Sequence, residues 1–451
     1  MDAHNVTAGL AEFLADSRWE DVPSPVRHEA VRSLLDWLGC ALGGCRDDAV
    51  DRVLALLAEV SGPPAATVIG RGERLDILNA ALVNAISSNI LDFDDTHLRT
   101  VIHPTSPVAS ALLAFAEHRR TTGERFLHAL VLGVEAECRI GNAISPGHYD
   151  RGWHITSTCG VFGAAAAIGK LLGLSPREMR WALGVAATQS AGLVEALGSM
   201  AKSLSVGAAA RNGLLAALLA AKGFTGPERV IEGVRGFANV VGERPDFDAI
   251  TTRLGAEWAL AVNAHKPYPC GIVMHPVLDG CIDLHRGHSL PPERIRRIAL
   301  TVNPLAVART SRPDPRTRLD ARLSLQHGAA VALVHGAAGI AQFTEASIQD
   351  PAVAVLRGKV DVREDPAVGR VEAIVAVHTT DGRILSTHVR HARGSVECPM
   401  TDVEIEAKFR ELAAAGAPGC RADRIIALVR SLEAADDAAA LARASVPTGV
   451  A

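Results

Sequence analysis

A chain of 451 residues is too long for one hydrophobic core, and its length alone points to two or three domains. A formal net charge of −4 argues against nucleic acid or an anionic membrane as partner, since either favours a surplus of Lys and Arg. The eight cysteines are scattered with no CxxC pair, which excludes a zinc ribbon or a small disulfide scaffold and fits reduced, cytosolic thiols.

The opening MDAHNVTAGLAEF has neither a basic n-region nor an apolar h-region, so no export signal is expected. No apolar run reaches about 18 residues without a polar break, so no transmembrane helix is expected either, and the protein reads as soluble and cytoplasmic. Apolar residues at three- and four-residue intervals predict helices over 26–44, 75–91, 106–117, 124–143, 159–174, 176–200 and 207–222. Almost no β-type alternation interrupts them up to residue 262, so this part is expected to be all-helical.

Near His265 the character changes. Residues 294–302, 371–377 and 383–389 alternate as strands, the last two joined by Thr379-Thr380-Asp381-Gly382, a strong hairpin signal. A helix is expected over 321–340 between them, which makes 265–396 a smaller α+β domain. From 397 to 451 the pattern is helical again. Thr401 and Glu404 are spaced as a capping box before a helix to Ala415, a last helix covers 423–442, and the final residues are expected to fray.

Four polar clusters break the apolar background. The first is Leu91 to Ser106, LDFDDTHLRTVIHPTS, with Asp92, Asp94, Asp95, His97, Arg99 and His103 between two buried helices. The second runs from His148 through Tyr149, Asp150, Arg151 and Trp153 to His154, followed by Thr156, Ser157 and Thr158. The third is Gly198-Ser199-Met200-Ala201-Lys202-Ser203-Leu204-Ser205. The fourth is His265-Lys266-Pro267-Tyr268-Pro269-Cys270-Gly271, with His275 close behind. The second and third place hydroxyls and a cation just before a predicted helix N-terminus, where free N–H groups and the dipole attract anions. Arg99, Arg151, Lys202 and Lys266 are thus candidate carboxylate clamps, with ordinary Ser/Thr capping as the competing explanation. Lysine and tyrosine are scarce here, six lysines among 46 basic residues and only Tyr149 and Tyr268, so one beside other polar groups is a better candidate for chemistry.

No GxSxG elbow, P-loop, HExxH or post-strand GxGxxG occurs. Asp92, Asp94, Asp95, His97 and His103 offer metal-type ligands, but neighbouring aspartates before a helix equally serve as caps and anchors, so no metal is expected.

At these clusters the chain resembles the MmgE/PrpD family, whose members include 2-methylcitrate dehydratase, cis-aconitate decarboxylase and iminodisuccinate epimerase. The matching stretches, in the family's order, are LDFDDTH…HPTSPVASALLA, GWHITSTCGVFGAAAAIGKLLGL, GSMAKSLSVGAAARNGLLAALLA and KPYPCGIVMHP. The resemblance implies a large helical domain built from both chain ends, a smaller lid-like α+β domain, a cleft between them and a homodimer. It also implies acid–base chemistry, without a cofactor, on small di- or tricarboxylates. Carried over by motif, the site residues are Asp94, His97 and His103, then His154, Lys202 and Lys266. To these the residue chemistry adds Tyr149, Arg99, Arg151 and Tyr268.

His103, His154, Lys202 and Tyr149 are the expected catalytic groups; Asp94, His97, Arg99, Arg151, Lys266 and Tyr268 are expected to bind substrate. Two departures argue against an itaconate-forming decarboxylase: Gly271 stands where those proteins carry a histidine, and no tyrosine follows Tyr268. An epimerase-like reaction leads the expectations, with Tyr149 and Lys202 on opposite faces of one carbon. A 2-methylcitrate-type dehydration using His103 and His154 is the alternative. A decarboxylase, a metal-dependent lyase and an inactive carboxylate-binding member rank lower.

Overall fold

The computed structural model describes residues 5–288 and 290–448. The chain divides into two compact units, one formed by Met1–Ala264 with Thr401–Ala451 and the other by His265–Met400. The second crossing falls at Met400, just before the Thr401 helix cap, rather than at residue 396. The fold is mostly α, with a mixed four-stranded sheet in the second unit.

In the first unit, helix Ile155–Leu172 lies between Gly123–Ile144 and Met200–Ala220. These helices approach closely because they present small residues. A Cβ at Gly213 would stand 2.5 Å from Ala164 Cβ, so any side chain there would force the pair apart. Ile155–Leu172 and Met200–Ala220 are also long and apolar enough to cross a membrane by length and composition, although polar residues interrupt both. They are core helices here, the apolar stretch of the first being 89% buried inside the protein and that of the second 56%. Returning from the second unit, helix Asp402–Gly416 packs on Ser24–Gly44 and carries the expected Thr401–Glu404 capping box.

Several expected boundaries shift. The helix expected over 176–200 stops at Ala187. Residues 188–199 form a loop with one 3₁₀ turn, Val194–Ala196, which Gly192 and Gly198 make possible at φ 141° and 84°. The next helix therefore starts at Met200, and its cluster of Lys202, Ser203 and Ser205 sits inside the first turns rather than ahead of them. Thr156, Ser157 and Thr158 likewise belong to the first turn of Ile155–Leu172. The helix expected over 423–442 is broken into Ala422–Arg430, a 3₁₀ turn and Ala440–Ala444. Helices Val6–Asp16 and Asp48–Val60, and four two-residue strands before the boundary, were not expected. The fraying expected of the last residues concerns 449–451, outside the described ones.

The second unit orders its strands as Val360–Glu364, Ile295–Val302, Ala373–Thr379 and Ile384–Val389. The first pair is parallel and the others antiparallel, with Ala299 opposite Ala376 and Ala376 opposite Ser386. Strand Val360–Glu364 escaped the sequence reading because its face pattern is only half-buried and carries three charges. The helix expected over 321–340 is Leu325–His335, ended by Gly336 in the left-handed region. Helix His275–His288 covers the sheet, and Gly280 lets it approach Val375 closely.

Candidate active site

The polar cluster of the first unit forms around residues 92–103, a loop between helices Ile77–Asn89 and Thr105–His118. Asp95 anchors it. Its carboxylate accepts from the Thr105 hydroxyl at 2.5 Å, from the Thr105 N–H at 3.3 Å and from Asn263 Nδ2 at 2.7 Å, so it caps the second helix. Strand Thr96–His97 pairs with Asn263–Ala264, which ties the loop to the end of this part of the chain. Residues 97–102 close a tight turn in which Val101, a β-branched residue, adopts φ 56°. Backbone strain of this kind persists where surrounding structure over-determines it.

His97 faces that turn. Its Nδ1 lies 2.8 Å from the Thr100 hydroxyl, and burial, reinforced by Arg99, brings its pKa down to about 4. A neutral, internally bonded His97 holds the turn. Arg99 itself is exposed, as is Arg151, so neither joins the buried cluster as the clamp expected of it.

His103 turns inward. Its Nδ1 lies 2.9 Å from the Asp95 carbonyl, which can only accept, so Nδ1 carries hydrogen and Nε2 faces Asp92 at 3.8 Å. Asp94, wholly buried, accepts from Asn89 Nδ2 at 2.8 Å and places Oδ1 3.4 Å from His103 Nδ1. The second cluster locks on here, with Thr156 Oγ1 accepting the His103 N–H at 3.1 Å.

Lys202 Nζ donates to Asp92 Oδ1 at 3.0 Å. Burial alone would lower the lysine pKa, but the carboxylates of Asp92 and Asp94 outweigh it and hold the ammonium above its ordinary range, with Tyr149 adding in the same direction. His154 shows the opposite displacement. Burial, and after it the charges of Lys202 and His103, push it well below the ordinary histidine range, so it is a neutral imidazole. Lys202, His103 and Asp92 thus act electrostatically on His154, while Asp92, Asp94 and Tyr149 act on Lys202.

Asp92 is the group the sequence reading left out of its site residues. Nothing in LDFDD distinguishes it from Asp94; what does is its left-handed backbone, φ 53°, which turns it toward Lys202 while Asp94 faces Asn89. Ligand atoms of Asp92, Asp94 and His103 lie within 4.8 Å of one another, a donor set that suits a divalent cation. The Lys202 ammonium, bonded to Asp92, already supplies positive charge at that spot.

Lys266 and Tyr268 belong to the second unit. Tyr268 donates to Asp279 at 2.5 Å and meets His275 edge-on, and burial with Asp279 beside it raises its pKa, so its hydroxyl is engaged within that unit. The Gly271 N–H donates to the carbonyl of Arg322 at 3.1 Å, within the second unit.

The MmgE/PrpD N-terminal domain matches residues 8–250, and the MmgE/PrpD C-terminal domain matches residues 268–434. The chain belongs to the MmgE/PrpD family. An Aspergillus oryzae protein named cis-aconitate decarboxylase-like protein oryM is 31% identical over 97% of this chain and 96% of its own length. The Aspergillus terreus cis-aconitate decarboxylase is 30% identical over 96% and 94%, and the human one 28% over 98% and 94%. This MmgE/PrpD chain is thus an enzyme of its family by full-length likeness, and the polar cluster of its first unit is the candidate site.

Proposed function

We propose that the protein is an acid–base lyase acting on a small di- or tricarboxylate, without a cofactor, by moving a proton at the carbon next to a carboxylate. The observation that carries this reading is the opposite displacement of two neighbouring groups. His154 is held neutral at neutral pH and can accept a proton; Lys202 is held as an ammonium and can stabilise enolate-like charge and return one. His103, bonded through Nδ1, offers Nε2 as a further acceptor beside Asp92.

Decarboxylation of an acid like cis-aconitate is the first reaction to test, since relatives matching over nearly the full chain carry that name. In that case the electron pair of the broken carbon–carbon bond stays on the substrate as a carboxylate-stabilised carbanion, and Lys202 supplies the proton that quenches it. A second reading, epimerisation, is favoured by Tyr149, which acts electrostatically on Lys202 and could face it across one carbon.

Purified protein incubated with a panel of small polycarboxylates in deuterated water, followed by NMR, tests both. Loss of carbon dioxide with one deuterium in an unsaturated product supports the decarboxylase. Exchange at one carbon with loss of chirality and no alkene supports the epimerase. No exchange and no conversion with any acid would sink the acid–base reading.

A further inference from the structure

His154 ends a chain of hydrogen bonds whose directions are fixed from its far end. Ser205 Oγ lies 2.7 Å from the main-chain oxygen of Lys202, and a carbonyl can only accept, so the Ser205 proton is spent there. Ser205 and Ser157 are 2.6 Å apart, hydroxyl to hydroxyl; with Ser205's proton used, Ser157 must be the donor. Ser157 is also 2.7 Å from His154 Nδ1 and has no second proton, so it accepts there, and Nδ1 carries the hydrogen. The lone pair of neutral His154 is then on Nε2.

We propose that Ser157 and Ser205 are positioning residues that fix the tautomer of His154, making Nε2 its basic atom. The inference rests on the reading of His154 as the base. Two further features hold the relay in place. The His154 N–H donates to the Gly192 carbonyl at 3.0 Å, and Gly192 lies so close that a Cβ there would stand 2.7 Å from Ser157 Cβ and 3.0 Å from its hydroxyl. The loop over 188–199 thus closes on Ser157 only because residue 192 has no side chain. Through the Lys202 carbonyl the same relay joins the neutral imidazole to the first turn of the helix that presents the ammonium.

Ser205→Ala removes the acceptor for the Ser157 proton, which then turns to His154 Nδ1 and drives the hydrogen to Nε2. The test is ¹⁵N NMR of histidine-labelled protein at pH 7.5, with the His154 signals identified by their loss in His154→Gln. The expected result is an Nδ1–H tautomer in the unmodified protein and an Nε2–H tautomer in Ser205→Ala. Turnover should fall by about 10²–10⁴-fold with little change in KM, as when a catalytic histidine is held in the wrong tautomer. Ser205→Thr, which keeps the hydroxyl, should restore both signals. An Nε2–H tautomer in the unmodified protein, or one that Ser205→Ala leaves unchanged, would overturn the proposal. A switched tautomer with undiminished turnover would leave the relay standing and remove His154 from the chemistry, so the two readings fail separately.

Discussion

A lysine in the first turn of a helix faces the positive end of the helix dipole, where a carboxylate would be more comfortable. Lys202 is tolerated there because it donates to Asp92 and feels the charge of Asp94, and the same two carboxylates keep it charged. Lys202→Met should lower turnover by at least about 10²-fold on any substrate the panel finds, since it removes both the proton donor and the charge that steadies an enolate. It should also relieve His154 of a neighbouring positive charge and raise that histidine's pKa toward the ordinary range, visible as an upward shift of its titration in histidine NMR. A variant with full activity would exclude Lys202 from the chemistry.

Between elements, the 92–103 loop is steadied from behind by helix Asp402–Gly416. Lys408, fully enclosed on that helix, donates to the Phe93 carbonyl at 2.6 Å, pairs with Asp36 at 2.6 Å and lies over the Phe93 ring at 4.0 Å. Phe93 separates Asp92 from Asp94, so the clamp sits on the backbone that sends the two carboxylates different ways. Lys408→Met strands the Asp36 carboxylate without its cation in the core and should cost about 3–5 kcal/mol in urea unfolding. The double variant Lys408→Met/Asp36→Leu should recover most of that stability, because both buried charges are gone. Turnover should nevertheless remain depressed in the double variant, since the Phe93 carbonyl is still released; recovery of activity along with stability would reduce the clamp to a packing role.

Across the whole molecule, burial holds several histidines neutral. His97, His128, His148 and His327 are each brought down to about 4. In the unfolded chain these groups take up protons near 6.5, whereas in the folded protein they resist until about 4. The unfolded state therefore binds more protons between these values, and folding stability is fully present above about 6.5 and lost as the pH falls toward 4. The urea midpoint should be flat from pH 7 to 8 and decline steadily from pH 6.5 to 4.5. A midpoint that holds constant down to pH 4.5 would mean these rings are not buried as described.

Periodicity, cap residues and the Asp-Gly hairpin determined from the sequence alone that a helical body gives way to an α+β segment and returns, because those signals are local and repeat along each element. The polar clusters were legible for the same reason: a run such as LDFDDTHLRTVIHPTS stands out against apolar flanks without any knowledge of contacts. The break after Ala187 was not legible, because Gly192 is required by its approach to Ser157, a long-range contact. Only tertiary structure decided that Asp92 rather than Asp94 meets Lys202, that Arg99 and Arg151 stay at the surface, and that His154 is neutral while Lys202 is charged. Those outcomes depend on backbone direction, burial and neighbouring charge, which arise when segments far apart in the chain are packed together.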